Sequence, residues 1–248
     1  MNATDALDDA VFIADVHLSP ARPRRSATFR RFLESLAARP PGALFVLGDL
    51  FDYWIGFRQL AEFEKTGVIA AFNALSCPVW LLHGNRDFMI SRRTAGALGA
   101  RLGGERLSVR LAGRPALLLH GDQLLANDSR YMFYRRLVRS RLAKVLLHAM
   151  PYRFRHVLAR GLRRQSSMSV RRKARHAAHT LGPSRKSLVD VFRAGFRIVV
   201  AGHLHRFVDE TFVVDGVDRR LLVLPVWRDD VGACLRLNGG DFSLVSFP

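Results

Sequence analysis

Five short motifs built from Asp, Asn and His recur along this chain, and each closely follows an apolar run. In chain order they are Asp15-Val16-His17, Gly48-Asp49-Leu50-Phe51-Asp52, Gly84-Asn85-Arg86-Asp87, His120-Gly121-Asp122 and Gly202-His203-Leu204-His205. The apolar runs that precede them are residues 11–14, 44–47, 79–82, 117–119 and 198–201. Runs of this length predict buried strands, so the fold must deliver polar side chains from five strand ends.

Helical patterns lie between those strands, at Thr28 to Ala38, Glu62 to Leu75 and Leu188 to Ala194. Strands that alternate with helices predict a layered α/β fold. In such folds, ligands bind beyond the carboxyl ends of the strands, which is where all five motifs fall. The stretch 211–248 is predicted to form short strands, with a turn at Asp215-Gly216.

The residue types in the motifs suit metal ions. Hard divalent cations prefer carboxylate and amide oxygens, and borderline transition metals accept imidazole nitrogen. Asp15 and His17 alternate along an extended strand end, so both side chains point to one face, and His203 and His205 do the same. A two-metal site clamps the attacking and leaving oxygens of a phosphoryl displacement. The sequence therefore predicts a hydrolase of phosphate esters or diphosphates.

The length of 248 residues is sufficient to bury a large core in one or two domains. Cys77 and Cys234 form no Cys-x-x-Cys pair and indicate neither a disulfide framework nor a zinc knuckle. The N-terminus carries acidic residues rather than the basic residues of a secretory signal, and no run approaches the roughly 18 apolar residues of a membrane span. We expect a soluble or peripheral protein in a reducing compartment.

The net charge of +18 is concentrated in one segment. Between Ser129 and Val189 there are 17 Lys and Arg residues and no Asp or Glu. A positive field of this kind favours anionic partners, such as phosphates, an anionic lipid surface or nucleic acid.

Apolar residues at steps of three or four predict one amphipathic helix from Tyr134 to Ala149, and a second apolar stripe follows from Phe154 to Leu162. We therefore expect a basic helical insert over residues 128–179, and a core made of residues 1–127 and 180–248. The alternative interpretation is that the apolar stripe packs on the core and that the Arg residues form a solvated face.

Taken together, the five motifs resemble those of the calcineurin-like metallophosphoesterase family. The resemblance covers most of the chain and implies a layered β-sandwich of mixed sheets flanked by helices, with the helical insert as a cap. It also implies two Mn²⁺ ions, or similar divalent transition metals, that share one carboxylate. The implied ligands of one ion are Asp15, His17, Asp49 and His205, and those of the other are Asp49, Asn85, His120 and His203.

One departure from the family pattern narrows the substrate. Many members carry His after the Gly-Asn pair, whereas this chain carries Arg86, whose five fixed donors suit a diphosphate. Several features are similar to those of one branch of the family, the UDP-2,3-diacylglucosamine pyrophosphohydrolases of lipid A biosynthesis. They are the Gly-Asn-Arg-Asp-Phe motif, the Gly-Asp-Leu-Phe motif, the nearby Trp54-Ile55-Gly56 segment and the helical insert. The resemblance implies that water attacks the α-phosphorus of this UDP-sugar and releases UMP and 2,3-diacylglucosamine 1-phosphate.

The same resemblance implies roles for individual residues. The implied catalytic residues are Asn85, Arg86 and His120. The implied substrate contacts are Asn85, Arg86 and His203 on the diphosphate and Asp128, Ser166 and Lys173 in the insert. The plain alternative for the three insert residues is a surface position without a ligand. The resemblance further implies a cytoplasmic protein that is peripheral on the inner membrane and meets its anionic surface through the basic cap.

Four residues beside the motifs carry expectations of their own. Asp52 is expected to support a metal-bound imidazole or to form a turn. Asp87 is expected to accept hydrogen bonds in a turn, and Asp122 to orient the loop after His120. His83 is interpreted as a satisfied core histidine rather than a metal ligand.

Two other classes of function compete with the lipid-linked substrate. A nuclease or nucleotide phosphodiesterase would track a phosphate backbone with the basic segment and stack bases on aromatic residues. Those aromatic residues, such as Tyr134 and Phe154, fall largely with the aliphatic stripes, which disfavours nucleic acid as a partner. A non-catalytic binding module would be expected to have lost ligands, and here none is missing. The sequence is silent on the oligomeric state.

Overall fold

Two six-stranded mixed sheets form the centre of the fold. The computed structural model describes residues 6–125, 129–161 and 183–248. The strands are β1 (Ala6–Leu7), β2 (Asp9–Ile13), β3 (Leu44–Val46), β4 (Val79–Leu82), β5 (Arg101–Gly104), β6 (Arg106–Leu111), β7 (Arg114–Leu119), β8 (Ile198–Ala201), β9 (Val208–Val214), β10 (Val217–Val223), β11 (Gly232–Asn238) and β12 (Asp241–Phe247). The first sheet has the order β1-β6-β7-β8-β10-β9, and the second has the order β12-β11-β2-β3-β4-β5.

Parallel pairing places the motif-bearing strand ends together. In the second sheet β2, β3 and β4 pair in parallel, and in the first sheet β7 pairs in parallel with β8. The carboxyl ends of parallel neighbours lie at the same edge of a sheet, so all five motifs emerge at one end of the sandwich.

Side-chain alternation along the strands explains why the two sheets pack face to face. Ala10 and Phe12 of β2 face the first sheet, whereas Val11 and Ile13 face the outer helices. Between the sheets, the ring of Phe12 stacks on Phe45 of β3 with the ring centroids 5.2 Å apart. Each central strand is therefore buried on both faces, as its continuous apolar run requires.

Helices cover both outer faces of the sandwich. In the described residues they are α1 (Pro23–Ala38), α2 (Val68–Asn73), α3 (Arg92–Ala97), α4 (Ser129–Arg139), α5 (Arg141–Ala149), α6 (152–161) and α7 (Arg185–Arg193), with 3₁₀ helices at Phe57–Thr66 and Asp122–Leu124. Phe29 of α1 and Phe72 of α2 pack against the second sheet, and Phe192 of α7 packs against the first. The predicted layered fold of mixed sheets flanked by helices is confirmed.

The predicted strands are all present, but two helix predictions were wrong in their bounds. The pattern from Glu62 to Leu75 is divided, because Gly67 adopts a left-handed conformation (φ 73°) between the 3₁₀ helix and α2. The predicted single helix from Tyr134 to Ala149 is also divided. Ser140 caps the start of α5 with its side chain, which accepts a hydrogen bond from the backbone N–H of Ala143 at 3.2 Å.

The helices α4, α5 and α6 expose apolar side chains over a wide face. The exposed fraction is 69% for Phe133, 70% for Leu142, 66% for Phe154 and 70% for Val157. None of the described helices has the length and apolar character needed to cross a bilayer. The boundaries of the insert stay a prediction, since 126–128 and 162–182 lie outside the described residues.

Candidate metal centre

The strand ends that carry the motifs leave the extended conformation abruptly. Asp15, His17, Asp49, His203 and His205 all have positive φ angles, between 52° and 70°. For residues with a Cβ this backbone region is costly, and such strain persists at functional sites because the surrounding structure enforces it. The result is that side chains from separate strands turn toward a common point.

Two glycines allow the backbones of neighbouring strand ends to approach. A Cβ added at Gly48 would lie 2.6 Å from the Cα atom of Gly84, and Gly48 itself has a φ of 89°. A Cβ added at Gly84 would overlap the Asp49 carboxylate. The glycines in these two motifs are therefore required by the close packing of the β3 and β4 ends.

One group of donor atoms forms around Asp15, which is fully buried. Its Oδ1 atom lies 3.2 Å from His205 Nε2 and 3.6 Å from His17 Nε2, and these two imidazole nitrogens are 3.4 Å apart. The Oδ2 atom instead accepts a hydrogen bond from the backbone N–H of His203 at 2.7 Å. Asp15 is thus held by one oxygen and presents the other to the imidazoles.

A second group forms around Asn85. Its Oδ1 atom lies 2.9 Å from His120 Nε2 and 3.2 Å from His203 Nδ1. The Oδ2 atom of Asp49 lies between the two groups, 3.7 Å from His120 Nε2 and 3.8 Å from His17 Nδ1. The structure therefore brings together all seven side chains that the sequence pattern selected.

This donor set fits divalent transition metals. Asp15, His17 and His205 each offer an atom within 4.8 Å of the others, and so do Asp15, Asp49 and His120. A mixture of carboxylate, amide and imidazole donors suits Mn²⁺ and its neighbours better than Ca²⁺, which takes oxygen ligands. The facing imidazole nitrogens of His120 and His203 are 3.3 Å apart, and those of His17 and His205 are 3.4 Å apart. A cation bound between such nitrogens would be a more favourable partner for them than a second imidazole.

The electrostatics of the cluster also favour a bound cation. Burial, together with the nearby carboxylates of Asp87 and Asp15, raises the pKa of Asp49 to about 7 against the opposing charges of His120 and Arg86. Burial, together with the charge of His120, lowers the pKa of His203 to about 4. Carboxylates that are buried and crowded together are stabilised by positive charge, which a bound cation would supply.

The Asp87 carboxylate organises the β3 and β4 strand ends. It is fully buried and accepts backbone hydrogen bonds from Gly84 at 2.8 Å, Asp49 at 3.2 Å, Leu50 at 2.8 Å and Phe51 at 3.4 Å. The expected role of Asp87 as an acceptor in a turn is confirmed, and it reaches across two motifs. His83 has a hydrogen-bonding partner as expected, since its Nε2 atom contacts the Ile90 carbonyl at 2.8 Å, but it is half-buried rather than part of the core.

Arg86 is held between two carboxylates. Its Nη1 atom donates to Asp52 Oδ1 at 2.8 Å, and its Nε atom lies 3.3 Å from Asp49 Oδ2. Two roles were predicted for Asp52, support of a metal-bound imidazole or a turn; the structure also pairs it with Arg86, which was not predicted. The guanidinium is therefore fixed beside the candidate ligands rather than free in solvent.

Two arginines of α4 connect the insert to the motif loops, and the sequence analysis missed them. Arg139 donates to the Gly84 carbonyl at 2.8 Å and to Asp122 Oδ2 at 3.2 Å. Arg135 donates to Asp122 at 2.7 Å and to Glu105 at 2.6 Å. Asp122 thus anchors α4 to the loop after His120. The spacing of four residues, which puts both arginines on one helix face, was the available signal.

A cavity of about 180 Å³ runs from the candidate ligands to the insert. Asn85 and Arg86 line one end of it. The apolar side chains that line the remainder come from both the core and the insert: Trp54, Ile55, Phe88, Met89, Val138, Leu147 and Leu158. The predicted substrate contacts Asp128, Ser166 and Lys173 lie outside the described residues.

Comparison with known families decides the class of protein. The model of the calcineurin-like phosphoesterase family matches residues 10–207. The chain belongs to this family. A solved dimetal phosphatase from Danio rerio has the same fold, with a TM-score of 0.52, 14% identity, and coverage of 98% of this chain and 96% of that chain. The chain is thus a hydrolase of the metallophosphoesterase fold, with candidate ligands for divalent metals.

Two curated relatives are similar over almost their whole length. A protein from Pseudomonas fluorescens is 35% identical over 242 residues, which cover 96% of this chain and 94% of the relative. A protein from Pseudomonas putida is 36% identical over 241 residues, which cover 96% and 98%. Both relatives are named UDP-2,3-diacylglucosamine hydrolase.

Proposed function

We propose that this chain hydrolyses the diphosphate of UDP-2,3-diacylglucosamine. Water attacks the α-phosphorus, the bond to the bridging oxygen breaks, and the products are UMP and 2,3-diacylglucosamine 1-phosphate. The names of the curated relatives support this substrate. The observation that carries the proposal is the cavity, because it joins Asn85 and Arg86 directly to an apolar wall, as a diphosphate attached to a two-chain lipid requires.

Two divalent cations, Mn²⁺ or a similar transition metal, complete the proposed centre. One would be held by Asp15, His17, Asp49 and His205, and the other by Asp49, Asn85, His120 and His203. When bound, the two ions would lower the pKa of water and polarise the phosphoryl oxygens. The convergence of those side chains in two groups around Asp49 supports the assignment.

The protein's own groups position the diphosphate. Arg86 presents its guanidinium to the phosphoryl oxygens, and Asp52 keeps it oriented through the 2.8 Å hydrogen bond. Asn85 lines the same end of the cavity as Arg86, and its Oδ1 atom contacts His120 at 2.9 Å and His203 at 3.2 Å. Asp128, Ser166 and Lys173 are proposed to contact the sugar and phosphate from the insert.

The insert, residues 128–179, acts in this proposal as a basic helical cap that covers the lipid and meets the membrane. Its exposed apolar side chains lie among arginines, a combination that binds anionic bilayers with about 1 kcal/mol per basic residue near the surface. We place the protein on the cytoplasmic face of the inner membrane. Co-sedimentation with anionic but not with neutral vesicles is the expected result.

The activity is tested by measuring UMP release in the presence of Mn²⁺. UDP-2,3-diacylglucosamine should be cleaved far more efficiently than UDP-N-acetylglucosamine, which has the same diphosphate without the two acyl chains. A short single-stranded oligonucleotide tests the competing nuclease interpretation. Cleavage of the oligonucleotide with no cleavage of the lipid would reject the proposal.

A further inference from the structure

Four side chains form a polar cluster where α6 of the insert meets the core. We call Tyr53, Glu62, Tyr152 and His156 the clasp. Glu62 Oε1 accepts from the Tyr152 hydroxyl at 2.7 Å and lies 2.7 Å from His156 Nε2. His156 Nδ1 lies 3.2 Å from the Tyr53 hydroxyl. Two residues come from the core and two from α6, so the clasp bridges the two regions.

One assignment of protons satisfies the contacts of His156 with both Glu62 and Tyr53. The Nε2 atom also lies 3.2 Å from the Tyr152 hydroxyl. With the proton of His156 on Nε2, that nitrogen donates to Glu62, and Nδ1 accepts from the Tyr53 hydroxyl. Tyr152 donates to the same carboxylate, and burial together with Glu62 raises the pKa of Tyr152, so the hydroxyl keeps its proton. The imidazole also packs edge-on to both tyrosine rings, with centroids 4.9 and 5.7 Å away.

The core side of the clasp has hydrogen bonds of its own that do not involve α6. Gln59 is 1% exposed; its side chain accepts from the Ile55 N–H at 2.9 Å and donates to the Tyr53 carbonyl at 3.1 Å. Arg155 of α6 donates to the Ile55 carbonyl at 2.7 Å. Helix α6 therefore contacts a hydrogen-bonded loop through both side-chain and backbone groups of that loop.

The same loop holds Arg86. The Trp54 N–H donates to the Arg86 carbonyl at 3.1 Å, and Asp52 pairs with the Arg86 guanidinium. Tyr53 and Ile55 line the cavity from the loop, and α6 lines it with Arg155 and other side chains. The clasp thus sets the distance between the apolar wall carried by α6 and the arginine beside the candidate metal ligands.

We propose that Glu62, Tyr152 and His156 are positioning residues that determine selectivity for a two-chain substrate. They hold α6 so that the lipid and the diphosphate can be bound at the same time. The inference rests on the proposed function, and it goes beyond it because the hydrogen bonds described for these three side chains reach neither a candidate metal ligand nor Arg86.

Steady-state kinetics of variants tests the proposal. Glu62→Ala removes the shared acceptor, and Glu64→Ala is the matched control, since Glu64 is an exposed residue of the same 3₁₀ helix. We expect Glu62→Ala to raise KM for UDP-2,3-diacylglucosamine about tenfold, with kcat and the affinity for UMP unchanged within about twofold. The control should change none of these values. A loss of UMP affinity equal to the rise in KM, or an unchanged KM, would overturn the proposal.

Tyr152→Phe removes only one hydroxyl and supplies a second, milder variant. If the two side chains act through their shared hydrogen bond, the double variant Glu62→Ala/Tyr152→Phe should be no worse than Glu62→Ala alone. Additive effects on KM would contradict a common clasp.

Amide hydrogen exchange separates failure of this proposal from failure of the proposed function. Glu62→Ala should speed exchange across 152–161 while leaving β7 and β8 unchanged, and Glu64→Ala should not. If the wild-type protein does not cleave UDP-2,3-diacylglucosamine, the proposed function is rejected, and the exchange result alone then tests whether the clasp holds α6. Unaltered exchange in both Glu62→Ala and Tyr152→Phe would show that no clasp holds α6.

Discussion

The metal centre and the insert are built by opposite means. At the centre, the buried side chains of Asp15 and Asp49 lie on strained backbone, and main-chain hydrogen bonds to Asp87 hold the loop that carries Asp49. In the insert, helices expose large apolar residues, with Leu142 and Val157 each 70% exposed. The centre is thus fixed by the fold itself, whereas the described part of the insert meets the core through a small set of side-chain contacts.

This difference between the metal centre and the insert is expected to appear as a difference in local stability. Segments with many buried contacts open only with the whole domain, whereas segments with exposed apolar surface open at a fraction of that free energy. In the proposed function, chemistry that needs fixed geometry lies on the sandwich, and the bulky lipid is bound by the insert. Substitutions in the two regions should separate these roles.

The largest effect is expected for Asp49→Asn. Asp49 lies between the two donor groups, and Asn removes both its charge and one of its oxygens. Loss of a shared metal ligand should lower kcat/KM on the order of 1000-fold, since metal ions contribute several kcal/mol to phosphoryl transfer. Metal content, measured by mass spectrometry of the purified protein, should fall as well. Exchange across 152–161 should not change, and a fully active variant would contradict the account of the centre.

Asp87→Asn tests the scaffold beneath the ligands. The Asp87 carboxylate accepts hydrogen bonds from backbone N–H groups, and an amide would place its own N–H donor against some of them. We expect Mn²⁺ affinity to fall about 10- to 100-fold and the free energy of unfolding to fall by about 3 kcal/mol. Calorimetric titration and urea unfolding measure the two. Asp230→Asn, at an exposed position, is the control and should change neither.

Arg139→Gln tests the connection between the two regions. Arg139 joins α4 to the Gly84 carbonyl and to Asp122, so its loss should loosen the insert and disturb the Asn85 loop together. We expect kcat/KM to fall about tenfold. Arg136→Gln, at an exposed position next to Arg135 in the same helix, should stay within about twofold. An equal loss in both variants would mean that charge alone, rather than the contacts of Arg139, matters.

The smallest effect on stability is expected in the insert. Val157→Ser replaces a side chain that is 70% exposed and should change the free energy of unfolding by less than about 0.5 kcal/mol. Val200→Ser, the same change at a fully buried position of β8, should cost about 3 kcal/mol or more. Urea unfolding compares the two. Equal costs would show that the exposed face of the insert is packed in solution.

The same contrast explains what could be predicted from the sequence. The strands and their motifs were predictable because each signal is local: an apolar run, a turn, and then a ligand type. The pairing of Arg135 with Glu105 and of Tyr152 with Glu62 was not, because those partners are 30 and 90 residues apart. Side chains so distant in sequence meet only once the fold has placed them.

Predictions from sequence patterns were also wrong where the preference of one residue opposed a longer apolar periodicity. The apolar periodicity continued through Ser140, yet its capping hydrogen bond to Ala143 starts a new helix there. Arg86 was correctly located beside the candidate ligands, but its pairing with Asp52 was missed, because the pattern offered two other roles for that carboxylate.

In the proposed centre, seven side chains from five strand ends hold two divalent ions. Diffraction from crystals grown with Mn²⁺, measured at the manganese absorption edge, locates such ions. We predict two anomalous peaks about 3.5–4 Å apart, with Asp49 touching both. The other contacts should come from Asp15, His17, Asn85, His120, His203 and His205. A single peak, or two peaks away from these residues, would contradict it.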